Sequence, residues 1–435
     1  ILGVILSQRS PENLDESFWT FWVNIFMQMN IEAKLRTQRF QPLTVFLKPS
    51  LPQIRQAIYQ CVPLDLQDDN YNEDKLKSEK ETGIYTPSDV YTFCSNRSRV
   101  AWSHLCQLDV PGAIEFIKQQ DPSTALCYAI GNLDLCSNKD FDICLLQTEI
   151  GQLYENVETL SAQDPTFPVA LLFCFSHTIS LSNGGEFFLN FIEFAIKCVN
   201  EQPPPISSAA TAALYYASRK NEERFLAEES IAENTLFENA ENYLTKLGRD
   251  DSVRMFKTIS LLISKITTKE RMARCYQLIS EPLLGALNSQ YEPEKVFDCI
   301  KEASNSAGPN STIFMSYLWE MLYQVANAIL SSDVSLNLVE AILDTMSACL
   351  ANEIYNIDRV RLILSLMSNR LQAQAFIESC FYNFISVIRS QHQEMNEMLP
   401  EIIDTFVLPG LASQHPNCSF HSLRSRFSIF HGSSI

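Results

Sequence analysis

The sequence predicts an all-α protein built as an α-solenoid, a superhelical stack of antiparallel helix pairs. Three observations predict this fold class. Glycine is scarce, with 12 in 435 residues, whereas an α/β enzyme needs glycines for tight strand–helix turns and phosphate-binding loops. Apolar residues recur at helical spacing along the chain, and short polar breaks separate these apolar stripes.

The apolar stripes have the period of amphipathic helices. One of them consists of five residues that follow one another by three or four positions: Val253, Phe256, Ile259, Ile263 and Ile266. That spacing places all five on one helical face. We expect further helices where the pattern recurs, over residues 314–329, 376–388 and 398–407.

Polar breaks predict where one helix ends and the next begins. They occur near Gly184–Gly185 and at Asn200–Pro205, Leu247–Ser252, Ser304–Ser311 and Ser331–Ser335. Their spacing is irregular but fits helix pairs of about 40–47 residues best. A single pair exposes an apolar face, and stacking on the next pair buries it. A closed helical bundle is the alternative, although bundles rarely contain this many helices.

These patterns predict the domain organisation. We expect residues 1–435 to form one continuous array of helix pairs, interrupted by an acidic loop at residues 65–87. The chain begins at Ile1 rather than at methionine, and its first six residues lack the basic flank of a signal peptide. We therefore interpret it as the middle-to-C-terminal part of a longer chain.

Charge and cysteine usage narrow the function classes. The net charge is −18, so the chain repels phosphate backbones, and direct nucleic-acid binding is not expected; basic protein segments are the natural partners. Thirteen cysteines are scattered without a CxxC pair, which is typical of reduced thiols in the cytosol or nucleus. No apolar stretch reaches about 18 residues, so no membrane span is expected.

The sequence contains no motif of a known catalytic or nucleotide-binding site. GxGxxG, GxxxxGK[ST], HExxH and GxSxG are all missing from it. Cys174 and His177 lie one helical turn apart, either as two metal ligands or, the favoured interpretation, as neighbours in a core helix. A zinc site at His415, Cys418 and His421 is a second alternative, but the intervening residues resemble a loose tail. We expect no enzyme, no metal and no cofactor.

Acidic residues concentrate in two segments. Residues 65–81 contain seven acids and three lysines, and residues 221–244 contain seven glutamates and Arg224. Clustered charge of one sign attracts a partner of the opposite sign and raises its association rate. The candidate residues in the second segment, which would face a basic cargo, are Glu222, Glu223, Glu228 and Glu229. The alternative is that they form a solvated helix face.

Several segments carry landmarks of a known family. The first three are Ser10–Phe26 (SPENLDESFWTFWVNIF), Arg39–Leu64 and Ser88–Ile117, and the acidic run lies between the second and the third. Later matches are Asp164–Gly184, Tyr317–Leu330 and Leu399–Ala412. In this order they resemble the middle of importin-β-family nuclear transport receptors, most closely the transportin-SR-like subfamily. The resemblance touches most of the chain, but each match is a packing pattern with a few aromatic landmarks.

The resemblance implies a superhelical stack of HEAT repeats that carries protein cargo through nuclear pores under the control of RanGTP. The partners implied are the Ran GTPase, protein cargo and FG nucleoporins, and the implied location is shuttling between cytoplasm and nucleus. Acidic loops in the central repeats of the family contact Ran. The residues at the corresponding place here are Asp68, Asp69, Glu73 and Asp74.

The sequence departs from the subfamily at one functional feature. Members that carry arginine–serine-rich cargo use an arginine-rich late helix, but residues 336–353 contain no arginine, and Arg359 and Arg361 only follow it. A basic cargo fits the net charge of −18 better. The alternative function is a helical-repeat scaffold or adaptor of a multiprotein complex.

Overall fold

The computed structural model describes most of the chain between residues 109 and 351. The continuous ranges are 109–135, 146–179, 185–227, 230–289, 291–330 and 335–351; the isolated positions are 55, 56, 59, 102, 106, 358, 359, 362, 400, 403, 404 and 408. Within these residues the structure is helical, with no β-strand. The chain divides into two compact units, unit 1 (Ile1–Asn221) and unit 2 (Glu222–Ile435).

Seven α-helices of unit 1 are described. They are α1 (Val110–Lys118), α2 (Thr124–Gly131), α3 (Gln147–Glu155), α4 (Val157–Gln163), α5 (Phe167–Thr178), α6 (Gly185–Glu201) and α7 (Pro204–Lys220), with a 3-10 turn at Asn132–Leu135. Asp109 and Ser123 cap α1 and α2, because their side chains accept hydrogen bonds from the backbone N–H groups of Gly112 and Leu126. The helix starts are therefore specified locally.

The core of the described part of unit 1 lies around α5. All but one of its twelve residues are buried, and the helix packs against α2 and α7. Its polar side chains bond back to the helix itself: Ser176 Oγ donates to the Phe173 carbonyl at 3.0 Å, and Thr178 Oγ1 donates to the Cys174 carbonyl at 2.8 Å. These bonds allow hydroxyl groups to be buried at low cost.

Seven α-helices of unit 2 are described. They are α8 (Glu222–Ala227), α9 (Ala240–Lys246), α10 (Arg249–Ser264), α11 (Lys269–Ser289), α12 (Pro293–Ala307), α13 (Ser311–Leu330) and α14 (Leu336–Ala351), with a π-helical segment at Ser230–Phe237 and a 3-10 turn at Gly308–Asn310.

The helices of unit 2 form two layers. α10, α12 and α14 pack side by side in one layer, and α9, α11 and α13 pack side by side in the other. The helices of the first layer begin at Arg249, Pro293 and Leu336. Successive members are thus about 44 residues apart, the period expected of stacked helix pairs. The predicted all-α helical-repeat fold is confirmed.

Polar contacts between neighbouring repeats recur at the same period. Lys257 of α10 pairs with Glu302 of α12 at 3.1 Å, and Lys301 of α12 pairs with Asp344 of α14 at 3.2 Å. The two lysines lie 44 positions apart at equivalent places in their helices. Equivalent ion pairs therefore occur in successive repeats, although the letters of the repeats are not similar.

Hydroxyl groups supply a second set of contacts between repeats. Ser260 Oγ of α10 donates to the Ala303 carbonyl of α12 at 2.6 Å. Thr345 Oγ1 of α14 lies 2.9 Å from the Phe297 carbonyl of α12 and 2.6 Å from the Ala341 carbonyl of its own helix. Both hydroxyl-bearing residues are fully buried. These bonds set the register between successive helices of the layer.

Two predicted helices are confirmed. α10 contains most of the stripe that begins at Val253, and α13 spans the stripe over residues 314–329. The break at Leu247–Ser252 is shorter than predicted, because Asp250 and Asp251 lie in the first turn of α10, where acids suit the helix dipole. The stripes at 376–388 and 398–407 lie outside the continuously described residues. Continuity of the array over the whole chain stays a prediction.

Candidate functional site

The first candidate acids lie at the start of unit 2. Glu222 is in the first turn of α8, and its carboxylate pairs with Lys265 at 3.1 Å. Glu223, beside it, is exposed. Glu228 and Glu229 lie outside the described residues, as do the acidic-loop candidates Asp68, Asp69, Glu73 and Asp74.

Glu233 has a structural role within the same acidic segment. Its carboxylate accepts hydrogen bonds from Arg271 at 2.7 Å and Arg274 at 2.6 Å, both on α11. Burial raises the pKa of Glu233, but the two arginines lower it by more, so the net pKa lies below the ordinary value. The π-helical segment is thereby fixed to α11.

A groove lies between α9 and α11, beyond these ion pairs. Its volume is about 560 Å³, within the range of about 300–1,000 Å³ found for binding sites. Leu244 and Ala240 of α9 and Leu278 and Ala286 of α11 line it with apolar surface. The groove belongs wholly to unit 2.

Three exposed carboxylates also line the groove. Glu238 and Glu241 come from the α9 side, and Glu281 comes from α11. The Glu281 carboxylate accepts one hydrogen bond, from Gln277 at 3.4 Å. Among the described lining residues none is basic. The groove therefore combines apolar surface with negative charge.

Two residues of α11 shape its wall of the groove. Pro282 lies inside the helix and has no backbone N–H, so the carbonyl of Leu278, four residues earlier, lacks its helical donor. Gly285, one turn further on, has open space where a Cβ would lie, with no heavy atom within 4 Å. At Gly285 the α11 wall of the groove therefore carries no side chain.

Tyr291, which follows α11, also lines the groove. Tyr291 is 39% exposed and donates its hydroxyl to the Thr245 carbonyl at 3.4 Å. The side chain of Lys295 contacts this segment. Its Nζ donates a hydrogen bond to the Leu247 carbonyl at 2.7 Å and pairs with the Glu292 carboxylate at 3.0 Å. The same Nζ lies 5.9 Å from the centroid of the Tyr291 ring. This buried lysine holds the exposed tyrosine in place.

Cys174 and His177 both lie buried on α5, as the favoured interpretation predicts. The His177 ring packs 4.1 Å from that of Phe173 and stacks 4.4 Å from that of Tyr216. Burial raises the pKa of the Cys174 thiol well above its ordinary value. Within the described part of the chain no cluster of three or more His, Cys, Asp or Glu side chains is arranged to hold a metal. The His415–His421 cluster lies outside that part.

Sequence reasoning missed half of the groove. It selected the acidic segment that contains Glu238 and Glu241, but not Glu281 or Tyr291, which lie 37 or more residues further on. A signal for α11 was present, because Pro282 and Gly285 interrupt an otherwise regular helical pattern. Their position beside α9 follows only from the stacking of α9 on α11.

The comparisons with known proteins identify no family. No family model matches the chain, and no curated protein matches it. None of the described helices is long and apolar enough to cross a membrane.

Two similar solved structures share little sequence with the chain. One is an engineered protein whose crystal structure was determined by the Northeast Structural Genomics Consortium: identity is 10%, the TM-score is 0.40, and the match covers 90% of this chain and 98% of that chain. The other comes from work on tubulin recruitment by microtubule polymerases with Tumor Overexpressed Gene domain arrays: identity is 11%, the TM-score is 0.29, and coverage is 88% and 92%. Similarities this distant carry no functional argument.

Proposed function

We propose that this chain is a protein-binding helical-repeat module that acts by shape and charge rather than by catalysis. The observation that carries the proposal is the two-layer stack of unit 2, with its period of about 44 residues. Stacked repeats present extended surfaces to a partner, because each helix pair contacts only its neighbours. Scaffolds and transport receptors both use such surfaces.

The charge of the chain favours a positively charged protein partner. A net charge of −18 steers basic surfaces toward it and repels nucleic acid. The exposed Glu223, Glu238, Glu241 and Glu281 put part of this charge on unit 2, where no described basic side chain pairs with them. Binding should weaken as salt is raised, since exposed charges are screened beyond about 10 Å at 0.1 M.

The more specific form of the proposal is a nuclear transport receptor. Such a protein would bind basic cargo under RanGTP control, contact FG nucleoporins and shuttle between cytoplasm and nucleus. The aromatic and acidic landmarks between Ser10 and Ile117 and the strongly acidic charge support this form. A scaffold or adaptor of a multiprotein complex is the alternative, and the repeat architecture supports both equally.

Ran locked in its GTP-bound or GDP-bound state separates the two. Beads carrying each form are incubated with the full-length protein, and a transport receptor is retained by the GTP form alone. Equal, negligible retention on both contradicts the transport proposal and leaves the scaffold. Replacing Asp68, Asp69, Glu73 and Asp74 by serine should then weaken Ran or basic-cargo binding without lowering Tm. A large fall in Tm would instead give this segment a structural role.

A further inference from the structure

We infer that the groove between α9 and α11 binds a short extended segment of a partner protein, in which lysine or arginine alternates with apolar side chains. This inference rests on the proposed function, the binding of a positively charged protein partner, and assigns that binding to a place. The groove is lined by Leu244, Leu278, Glu238, Glu241, Glu281 and Tyr291.

The apolar part of the groove calls for an apolar group on the partner. Leu244 of α9, which is buried, and Leu278 of α11 both line the groove. A volume of about 560 Å³ accommodates a few side chains but no folded domain. A linear segment that inserts one or two apolar side chains matches that size.

The charged part of the groove consists of carboxylates, which are acceptors only. These carboxylates belong to Glu238, Glu241 and Glu281, and all three residues are exposed. A ligand that brings only donors satisfies such a set, and ammonium and guanidinium groups are donors without acceptors. An anionic or acceptor-rich ligand would leave these groups unpaired and repelled.

Tyr291 adds an aromatic ring to the lining of the groove. Its ring is partly exposed, and its loop is fixed by the buried Lys295. The exposed part of an aromatic ring attracts the guanidinium or ammonium group of an incoming residue. The aromatic ring and the carboxylates thus favour the same class of partner.

Fluorescence anisotropy tests the inference with defined peptides. The probe is a short fluorescein-labelled peptide of repeating Lys-Leu-Arg-Leu. One comparison peptide replaces every leucine by serine, and another replaces every basic residue by glutamate. The full chain should bind the first peptide most tightly, the serine peptide more weakly and the glutamate peptide not at all. Equal binding of the leucine and serine peptides contradicts a role for the apolar surface.

Matched charge variants locate the binding. Glu241→Gln with Glu281→Gln removes two carboxylates that line the groove, and the control Glu270→Gln with Glu320→Gln removes two elsewhere. Glu241 and Glu270 each lie in the first turn of a helix, and Glu281 and Glu320 each accept a hydrogen bond from a glutamine four residues away. The two groove substitutions should weaken binding of the leucine-containing probe about fivefold, and the two control substitutions should weaken it much less.

A filled groove provides a test that leaves the charge unchanged. Gly285→Leu projects a side chain into the groove from a position with no heavy atom within 4 Å of the new Cβ. Gly151→Leu on α3 has the same open surroundings and is the control. Gly285→Leu should weaken binding of the probe about tenfold or more, because the peptide can then no longer bury one of its apolar side chains in the groove.

The outcomes distinguish this inference from the proposed function. If probe binding is lost in the groove variants but not in the control variants, the groove is the binding site. Equal loss in groove and control variants, or unchanged binding in Gly285→Leu, overturns the groove and leaves a general acidic surface that still binds basic proteins. Failure of the full chain to bind the basic probe also overturns the groove, while the Ran experiment tests the transport function independently.

Discussion

Unit 1 and unit 2 are both helical, but different contacts hold them together. In unit 1 the central helix α5 is almost wholly buried, and its hydroxyl groups bond back to its own carbonyls. In unit 2 the buried hydroxyls of Thr258 and Ser280 also bond back to their own helices, but that of Ser260 reaches across to the next helix of the layer. The described part of unit 1 is therefore organised around one buried helix, whereas the described helices of unit 2 are linked at a repeated spacing.

The largest expected effect comes from the core of unit 1. Phe175 on α5 is fully buried, and three aromatic rings surround it. Its ring centroid lies 5.1 Å from that of Phe187, 5.8 Å from that of Tyr154 and 6.0 Å from that of Phe191. We expect Phe175→Ala to lower the free energy of unfolding by about 3–5 kcal/mol, because it leaves a cavity among aromatic rings. Urea denaturation followed by circular dichroism measures the loss.

Hydrogen exchange then shows where that loss falls. If unit 1 depends on α5, amide exchange should rise more in residues 167–201 than in residues 293–307 of unit 2. An equal rise in both segments would contradict the distinction between the two units.

The second effect concerns a single polar contact of unit 2. We expect Lys295→Met to cost about 1–3 kcal/mol, because the buried Leu247 carbonyl loses the Nζ donor at 2.7 Å. Lys257→Met is the control, since the Lys257–Glu302 pair is partly exposed and contributes at most about 1 kcal/mol. Urea denaturation measures the free energy of unfolding of both variants. If Lys295→Met lowers it no more than Lys257→Met does, the buried Leu247 carbonyl has found another donor.

The third effect is a pH dependence at Glu233. Because its pKa is lowered in the folded chain, its contribution to stability is present above the ordinary value of 4.5 and is lost as pH falls through the folded pKa. Glu233→Gln should lower the free energy of unfolding by about 1 kcal/mol at pH 7 and by less at pH 3. Urea midpoints at the two pH values measure this. A loss independent of pH would exclude the two arginines as its cause.

The smallest effect compares a glycine from each unit. Gly285→Ala should stabilise α11 by about 0.5–1 kcal/mol, because alanine restricts the unfolded chain and meets no heavy atom within 4 Å. Gly131→Ala in α2 should destabilise unit 1, because its Cβ would lie 2.6 Å from the Phe173 ring and 3.2 Å from the Cys174 Cα. Thermal unfolding measures the change in Tm for each variant. If Gly131 is packed more tightly than Gly285, Tm should fall for Gly131→Ala and rise for Gly285→Ala.

Much of the fold could be predicted from local patterns. The stripe of Phe256, Ile259 and Ile263 predicted α10, because helical spacing and burial on one face are properties of a single segment. The breaks around Pro204 and Gly308 were predictable for the same local reason. The repeat period also followed, because the breaks record where each helix pair ends.

The candidate site could be predicted only in part. Clustered glutamates such as Glu241 are visible in the sequence, but their partners are not: Glu233 is bound by arginines about 40 residues later, whereas Glu241 lines a groove. Distinguishing a paired acid from an available one requires the register of α9 against α11. That register depends on packing between distant segments, which no short motif encodes.

The recurring separation of contacts in unit 2 has a mechanical consequence. The links from Lys257 to Glu302, from Ser260 to Ala303 and from Lys301 to Asp344 each span a single repeat. A pulling force along such a stack passes through its interfaces in series, so the weakest interface would open first while its neighbours stay closed. Unit 2 would then lengthen stepwise under load, one interface at a time.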